Sequence, residues 1–193
     1  MKNNYKATIT MSSIFIIIQS LTMVGYIVRH QYNLMSGLVA ITILFVIYTY
    51  FKFKFRVYMN LYVTILVLLT LLGHNLIGEY IGLYFRSTVY DKFLHSFGTY
   101  TFALFLYTII NDFFPDTYYI KWREFIYIIA IGATTGMFFE LIEFAADVIL
   151  KPVIPNQADL LDTNLDMIFN TLGAVVAAIH GYVKDYGFLR AKT

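Results

Sequence analysis

Six stretches of this chain are long and apolar enough to cross a bilayer or nearly so, each needing about 17 to 25 residues. They run Thr8–Val28, Leu34–Tyr50, Tyr58–Gly78, Phe93–Phe114, Phe125–Ala146 and Leu165–Val183. Together they take up most of the 193 residues, and no linker is long enough to separate domains. The expectation is an all-α, polytopic transmembrane helical bundle of about six transmembrane helices, a single integral membrane domain over 1–193. Charged residues make up 13%, against about 25% in a typical soluble domain, while hydrophobic residues reach 59%. That balance excludes a soluble enzyme and a disordered tail. The aromatic side chains are spread through the spans and form no platform beside a basic patch, so nucleic acid is not an expected partner.

With no cysteine, the chain lacks disulfides, thiolate nucleophiles, Cys-ligated zinc and iron–sulfur centres. Lys2 and Lys6 ahead of the run Ile9 to Val28 resemble a signal sequence. Tyr26-Ile27-Val28 before Arg29 is too bulky for a small-x-small cleavage site, so the run reads as a retained first helix. Span two ends in an aromatic and basic run, Tyr48 to Arg56, with the composition of an interface anchor. Span four is bounded by Pro115, and the Asn111-Asp112 pair before it suits a helix end; Tyr118, Tyr119 and Trp122 with Lys121 and Arg123 form a further band.

Basic residues set a topology. With both termini cytoplasmic, the inner side holds Lys2, Lys6, Lys52, Lys54, Arg56, Lys121, Arg123, Lys184, Arg190 and Lys192. The outer side holds Arg29, Arg86, Lys92 and Lys151, and ten against four obeys the positive-inside rule.

In that orientation the polar residues collect in one leaflet. His74 and Asn75 lie near the outer end of span three, and Asp91 and His95 begin span four. Glu140, Glu143 and Asp147 end span five, and Gln157, Asp159, Asp162, Asp166 and Asn170 lead into span six. Asp91 and His95, four apart, share a helix face. Gly132, Gly136, Glu140, Glu143 and Asp147 form a stripe that lets a neighbouring helix approach at one end and carries carboxylates at the other. Asp162, Asp166, Asn170 and Ala174 form a second stripe, in which Asp162 has an alternative reading as a helix cap. Isolated charges in hydrocarbon cost several kcal/mol, so these are site candidates by default. Neighbouring carboxylates repel unless one is protonated or a cation lies between them, and His nitrogens with carboxylate oxygens suit a divalent metal. No contiguous motif such as HExxH is present. A hydrogen-bond network joining four helices, or the lining of a pore or proton path, are alternative readings. His30 and His180 read as solvated and interfacial, and the outer cations Arg29, Arg86, Lys92 and Lys151 as a weak basis for holding a phosphate or lipid headgroup.

The run Asp91-Lys92-x-x-His95 resembles the Asp-Lys-x-x-His element of VanZ-like membrane proteins. Glu140-x-x-Glu143, Gln157, Asp162-Thr163-x-x-Asp166 and Asn170-x-x-Gly173-Ala174 resemble their acidic, Gln and Asp-x-x-x-Asn-x-x-Gly elements. The pair of glutamates, with His74-Asn75 upstream and Asp162-Thr163 together, is most similar to the YjdF-type bacterial inner-membrane proteins. The likeness covers roughly residues 74 to 175. It departs from the VanZ branch between the glutamine and the aspartate, where that branch has an arginine and this chain has Ala158 to Leu161, which tells against a glycopeptide-resistance role. The resemblance implies a helical bundle in a cell envelope, expected in a bacterial cytoplasmic membrane, with these residues at a common site.

The reading that follows is a membrane protein with an outward-facing His/carboxylate site for a divalent metal ion: zinc, magnesium or calcium. Its use is chemistry on, or binding of, a membrane lipid or a lipid-linked or phosphorylated envelope molecule. In the enzyme version His95, Glu140, Glu143 and Asp166 hold the metal, Asp162 or His74 positions or deprotonates a metal-bound water, and Asn170 orients a carboxylate. The rival is a non-enzymatic lipid- or antibiotic-binding envelope protein, with a transporter behind it. The spacing offers no Ser-His-Asp arrangement and no glycine-rich phosphate loop.

Overall fold

Apolar runs of about 20 residues satisfy their backbone in a membrane as helices, since a closed barrel is built of strands about half as long, and the chain follows that rule. The structure, a computed structural model, describes residues 5–114, 120–152 and 155–189, and among them there is no strand. Pro115, Tyr118, Tyr119, Lys2, Arg190 and Lys192 lie outside the described residues. The helices are α1 (Tyr5–Val28), α2 (Met35–Lys54), α3 (Leu61–Leu72), α4 (Thr88–Phe113), α5 (Lys121–Leu150) and α6 (Leu160–Val183). α3 runs on into a π-helical stretch, Gly73–Tyr80, and the two together make the third span. Six helices are thus long and apolar enough to cross a membrane.

The ends differ from the apolar runs where polar caps extend a helix. α4 starts at Thr88, not Phe93, because Ser87 Oγ accepts the Tyr90 N–H at 3.2 Å. α6 starts at Leu160, not Leu165, because the Asp159 side chain accepts the Asp162 N–H at 2.8 Å. The cap of α6 is therefore Asp159, and the capping reading of Asp162 is corrected. α3 starts late, at Leu61, under Asn60, whose side chain accepts the Tyr62 N–H at 2.8 Å.

The chain groups into two units. The first contains α1, α2, α3 with its π-helical extension, and the two ends of α4; the second contains Lys92–Tyr107 of α4, α5 and α6. In the first, Phe15, Phe45 and Leu68 form a core with Phe15 and Phe45 rings 4.5 Å apart. Tyr26 meets Tyr80 edge-on at 5.2 Å, and the Arg29 guanidinium lies 4.2 Å over the Tyr80 ring. In the second, small residues bring α5 onto α6. A Cβ on Gly132 would stand 2.5 Å from that of Ala174, and one on Gly136 would stand 2.6 Å from that of Asn170. Gly173 is equally restricted, by the Ser96 carbonyl of α4. This is the small-residue packing used where the hydrophobic effect gives no preference between lipid and helix.

Candidate functional site

Close approach of α5 to α6 carries polar groups from both helices, and from α4, into one cluster of the second unit. Glu140 is buried, as are Asp166, Asn170 and Lys92, while the Glu143 side chain is 30% exposed and that of Asp162 25%. The cluster is thus enclosed on the Glu140 side and open to its surroundings past Glu143 and Asp162.

His95 is its hub. Its Nδ1 lies 3.4 Å from Glu140 Oε1, and its Nε2 lies 3.5 Å from Asp166 Oδ1 and 4.0 Å from Glu143 Oε1. A neutral imidazole has one N–H, so with carboxylates at both nitrogens one lone pair would face an anion. Either the ring carries two protons, a neighbouring carboxyl keeps its own, or another positive ion shares the space. Glu140 is fixed by amides: Asn170 Nδ2 donates to Oε1 at 3.1 Å, and Gln157 Nε2 donates to Oε2 at 3.3 Å and to the Glu140 backbone carbonyl at 3.0 Å. Thr99 in turn donates to Asn170 Oδ1 at 2.7 Å, which sets the amide's orientation. Asp147, at the outer end of the same stripe, accepts the backbone N–H groups of Asn156 and Gln157 at 2.8 and 2.9 Å, tying the α5–α6 connection to α5.

Lys92 makes the other half. Its ammonium lies 2.7 and 2.8 Å from the two oxygens of Asp166 and 2.5 Å from Asp162 Oδ1. Sequence reasoning had set Lys92 among the outer cations rather than in the site. The signal was present: Lys92, His95 and Thr99 follow steps of three and four along α4, one face, and all three meet α5 or α6. Thr99, on that same face, is uncharged and carries no such signal of its own.

Of the residues read from the sequence, His95, Glu140, Glu143, Asp162, Asp166 and Asn170 fall in the second unit and are linked there by these contacts. One atom each from His95, Glu140 and Glu143 lies within 4.8 Å of the others, a spacing a metal ion can bridge. Asp166 differs from those three, since Lys92 meets both its oxygens. His74 belongs to the first unit, where its Nδ1 is 2.7 Å from the Tyr84 hydroxyl and its Nε2 3.5 Å from Glu79 Oε1. Glu79, which sequence reasoning passed over, sits with His74 on the π-helical stretch. There the Tyr90 hydroxyl donates to the Gly73 carbonyl at 2.6 Å, taking up backbone that the wider turn leaves open. His180 stacks on Tyr100, with Nδ1 2.6 Å from its hydroxyl. His30 is exposed.

Fold and site define a polytopic α-helical membrane protein with a partly buried cluster of one imidazole, one ammonium and four carboxylates. The chain belongs to the family described as "Predicted membrane protein (DUF2238)", which it matches over residues 7–185. It is similar to an uncharacterised protein of Thermotoga maritima, 31% identical over 117 residues, a stretch that is 59% of this chain and 58% of that protein. The chain thus spans less than two thirds of that relative's length. No solved structure matches it.

Proposed function

We propose that the cluster binds a divalent cation through His95, Glu140 and Glu143, and that the chain uses it on a lipid-linked or phosphorylated molecule of the bacterial envelope. The observation that carries this reading is the approach of three ligand atoms on two helices, two of them from largely buried side chains. Charge supports it. Four carboxylates meet one ammonium, and Lys92 offsets Asp166 and Asp162, leaving Glu140 and Glu143 to be neutralised by His95 and a further cation or by protons.

A divalent ion there would polarise a phosphoryl or carbonyl oxygen and lower the pKa of a bound water. Asn170 and Gln157 hold the Glu140 carboxylate in place, a positioning role. Asp162 is bound to Lys92, so in this proposal it positions that lysine. His74 has no part in it. Kinship with VanZ-like and YjdF-type proteins belongs to the same proposal, because Asp91-Lys92-x-x-His95 supplies two of the groups. So does the orientation with both termini cytoplasmic in a bacterial cytoplasmic membrane, which rests on the basic residues of the loops.

A second reading has its own observation. The chain Thr99–Asn170–Glu140 and the Lys92 bridge to Asp162 and Asp166 join α4, α5 and α6, as a purely structural network would. Elemental analysis of never-chelated protein separates the two. About one equivalent of metal in the wild type, lost in Glu143→Gln and His95→Ala with unchanged melting and elution, supports the metal site. A folded wild type without tightly bound metal, and without saturable uptake of zinc, magnesium or calcium, leaves the structural network.

A further inference from the structure

Outside that cluster, the end of α2 holds a charge that the first unit does not answer. Lys52 is 6% exposed, and its Nζ is buried with no hydrogen-bond partner among the described residues. Thr49, one turn earlier on the same face, has a buried hydroxyl in the same condition. The carboxylate of Asp112, on the nearby end of α4, accepts the Tyr58 backbone N–H at 3.0 Å, and no ion pair links it to Lys52. Lys52 also walls a cavity of about 210 Å³, with Tyr48, Phe51, Phe55, Ile109 and Phe113. Lys54 and Arg56, both exposed, follow at the same helix end.

A buried ammonium without a partner is costly, and the usual resolutions are loss of its proton or arrival of an anion. The surroundings select the anion's chemistry. The cavity is apolar and aromatic and too small for two lipid tails, Lys52 forms part of its wall, and two more cations follow at the same helix end. A small soluble anion would gain nothing from such walls, whereas an amphiphile places a charged group at Lys52 and part of one chain against the rings. We infer that this end of the first unit binds one anionic phospholipid, its phosphate taken by Lys52 and Thr49 and part of one acyl chain by the cavity. The inference is independent of the proposed metal site.

The test uses full-length protein, stripped of lipid in a neutral detergent, with native mass spectrometry of added dioleoylphosphatidylglycerol, dioleoylphosphatidylcholine or oleate. The wild type is expected to bind one phosphatidylglycerol and to discriminate against phosphatidylcholine. Lys52→Gln should weaken phosphatidylglycerol about tenfold, the weight of one charge-assisted hydrogen bond. Lys52→Arg should largely retain it, and the double variant Lys54→Gln/Arg56→Gln should lose less than Lys52→Gln. Ile109→Trp, which fills the cavity and leaves the lysine, should lose binding as well, and it serves if Lys52→Gln fails to fold. Three results would overturn the inference: equal binding by wild type and both Lys52→Gln and Ile109→Trp, tighter binding of oleate than of phosphatidylglycerol, or a larger loss from the exposed double variant.

Discussion

The two units differ in how their buried amides and charged groups are answered. In the second, Lys92, Thr99, Glu140, Asp166 and Asn170 are all buried, and each is joined to another member by a hydrogen bond or ion pair. In the first, Gln19, Asn75 and Lys52 are buried just as deeply, and their side-chain polar atoms have no hydrogen-bond partner among the described residues. A closed network fixes helices in one arrangement and preorganises whatever it binds. Orphaned groups do the reverse: they leave a demand that water or a ligand must meet. The contrast teaches that polarity inside a span has two meanings, and that the partner count distinguishes them.

The strongest challenge to this contrast is Lys92→Met. It strands the Asp166 and Asp162 carboxylates, and removing one partner of a buried pair costs about 3–5 kcal/mol. Thermal melting in detergent should show a severe loss or no folded protein, with partial recovery in Lys92→Met/Asp166→Asn. A melting point close to wild type would mean that the second unit does not depend on its network.

Amide replacements give the next effect and compare the units directly. Asn170→Leu should destabilise by about 1–3 kcal/mol, because Thr99 and Glu140 lose their partner. Gln19→Leu, at an amide whose polar atoms make no hydrogen bond among the described residues, should be neutral or stabilising. Equal losses at the two positions would erase the distinction.

Glycine substitutions are expected to be smaller and to follow the same order. Gly132→Ala drives a Cβ into the Ala174 backbone and side chain and should cost about 1–3 kcal/mol. Gly25→Ala meets only the outer ring of Tyr80, a side chain able to turn aside, so its melting point should shift less. The reverse order would show that the α5–α6 contact yields more readily than its geometry implies.

Much of the fold is legible in the sequence because hydrocarbon leaves the backbone one solution, so each long apolar run became a helix. What the apolar pattern misses are first turns whose residues are polar: Ser87 and Asp159 begin α4 and α6 well before the hydrophobic residues do. The wide turns at Gly73–Tyr80 are also hidden, since nothing in the local pattern marks a π-helical from an α-helical register. In the site, the carboxylates and His95 stood out because charge is rare inside spans. Lys92 did not, because its place beside Asp91 made it look like an exposed end residue, and only a partner some seventy positions away explains its burial. Polarity and level also group His74 with these residues, and its contacts with Tyr84 and Glu79 lie within the first unit.

Whether His95 ligates a metal is the point on which the account turns, and pulsed electron paramagnetic resonance of vanadyl-loaded protein reads it directly. One histidine nitrogen coupling is expected in the wild type and in His74→Ala, and none in His95→Ala. A spectrum without nitrogen coupling, or one that survives His95→Ala and disappears in His74→Ala, would contradict it.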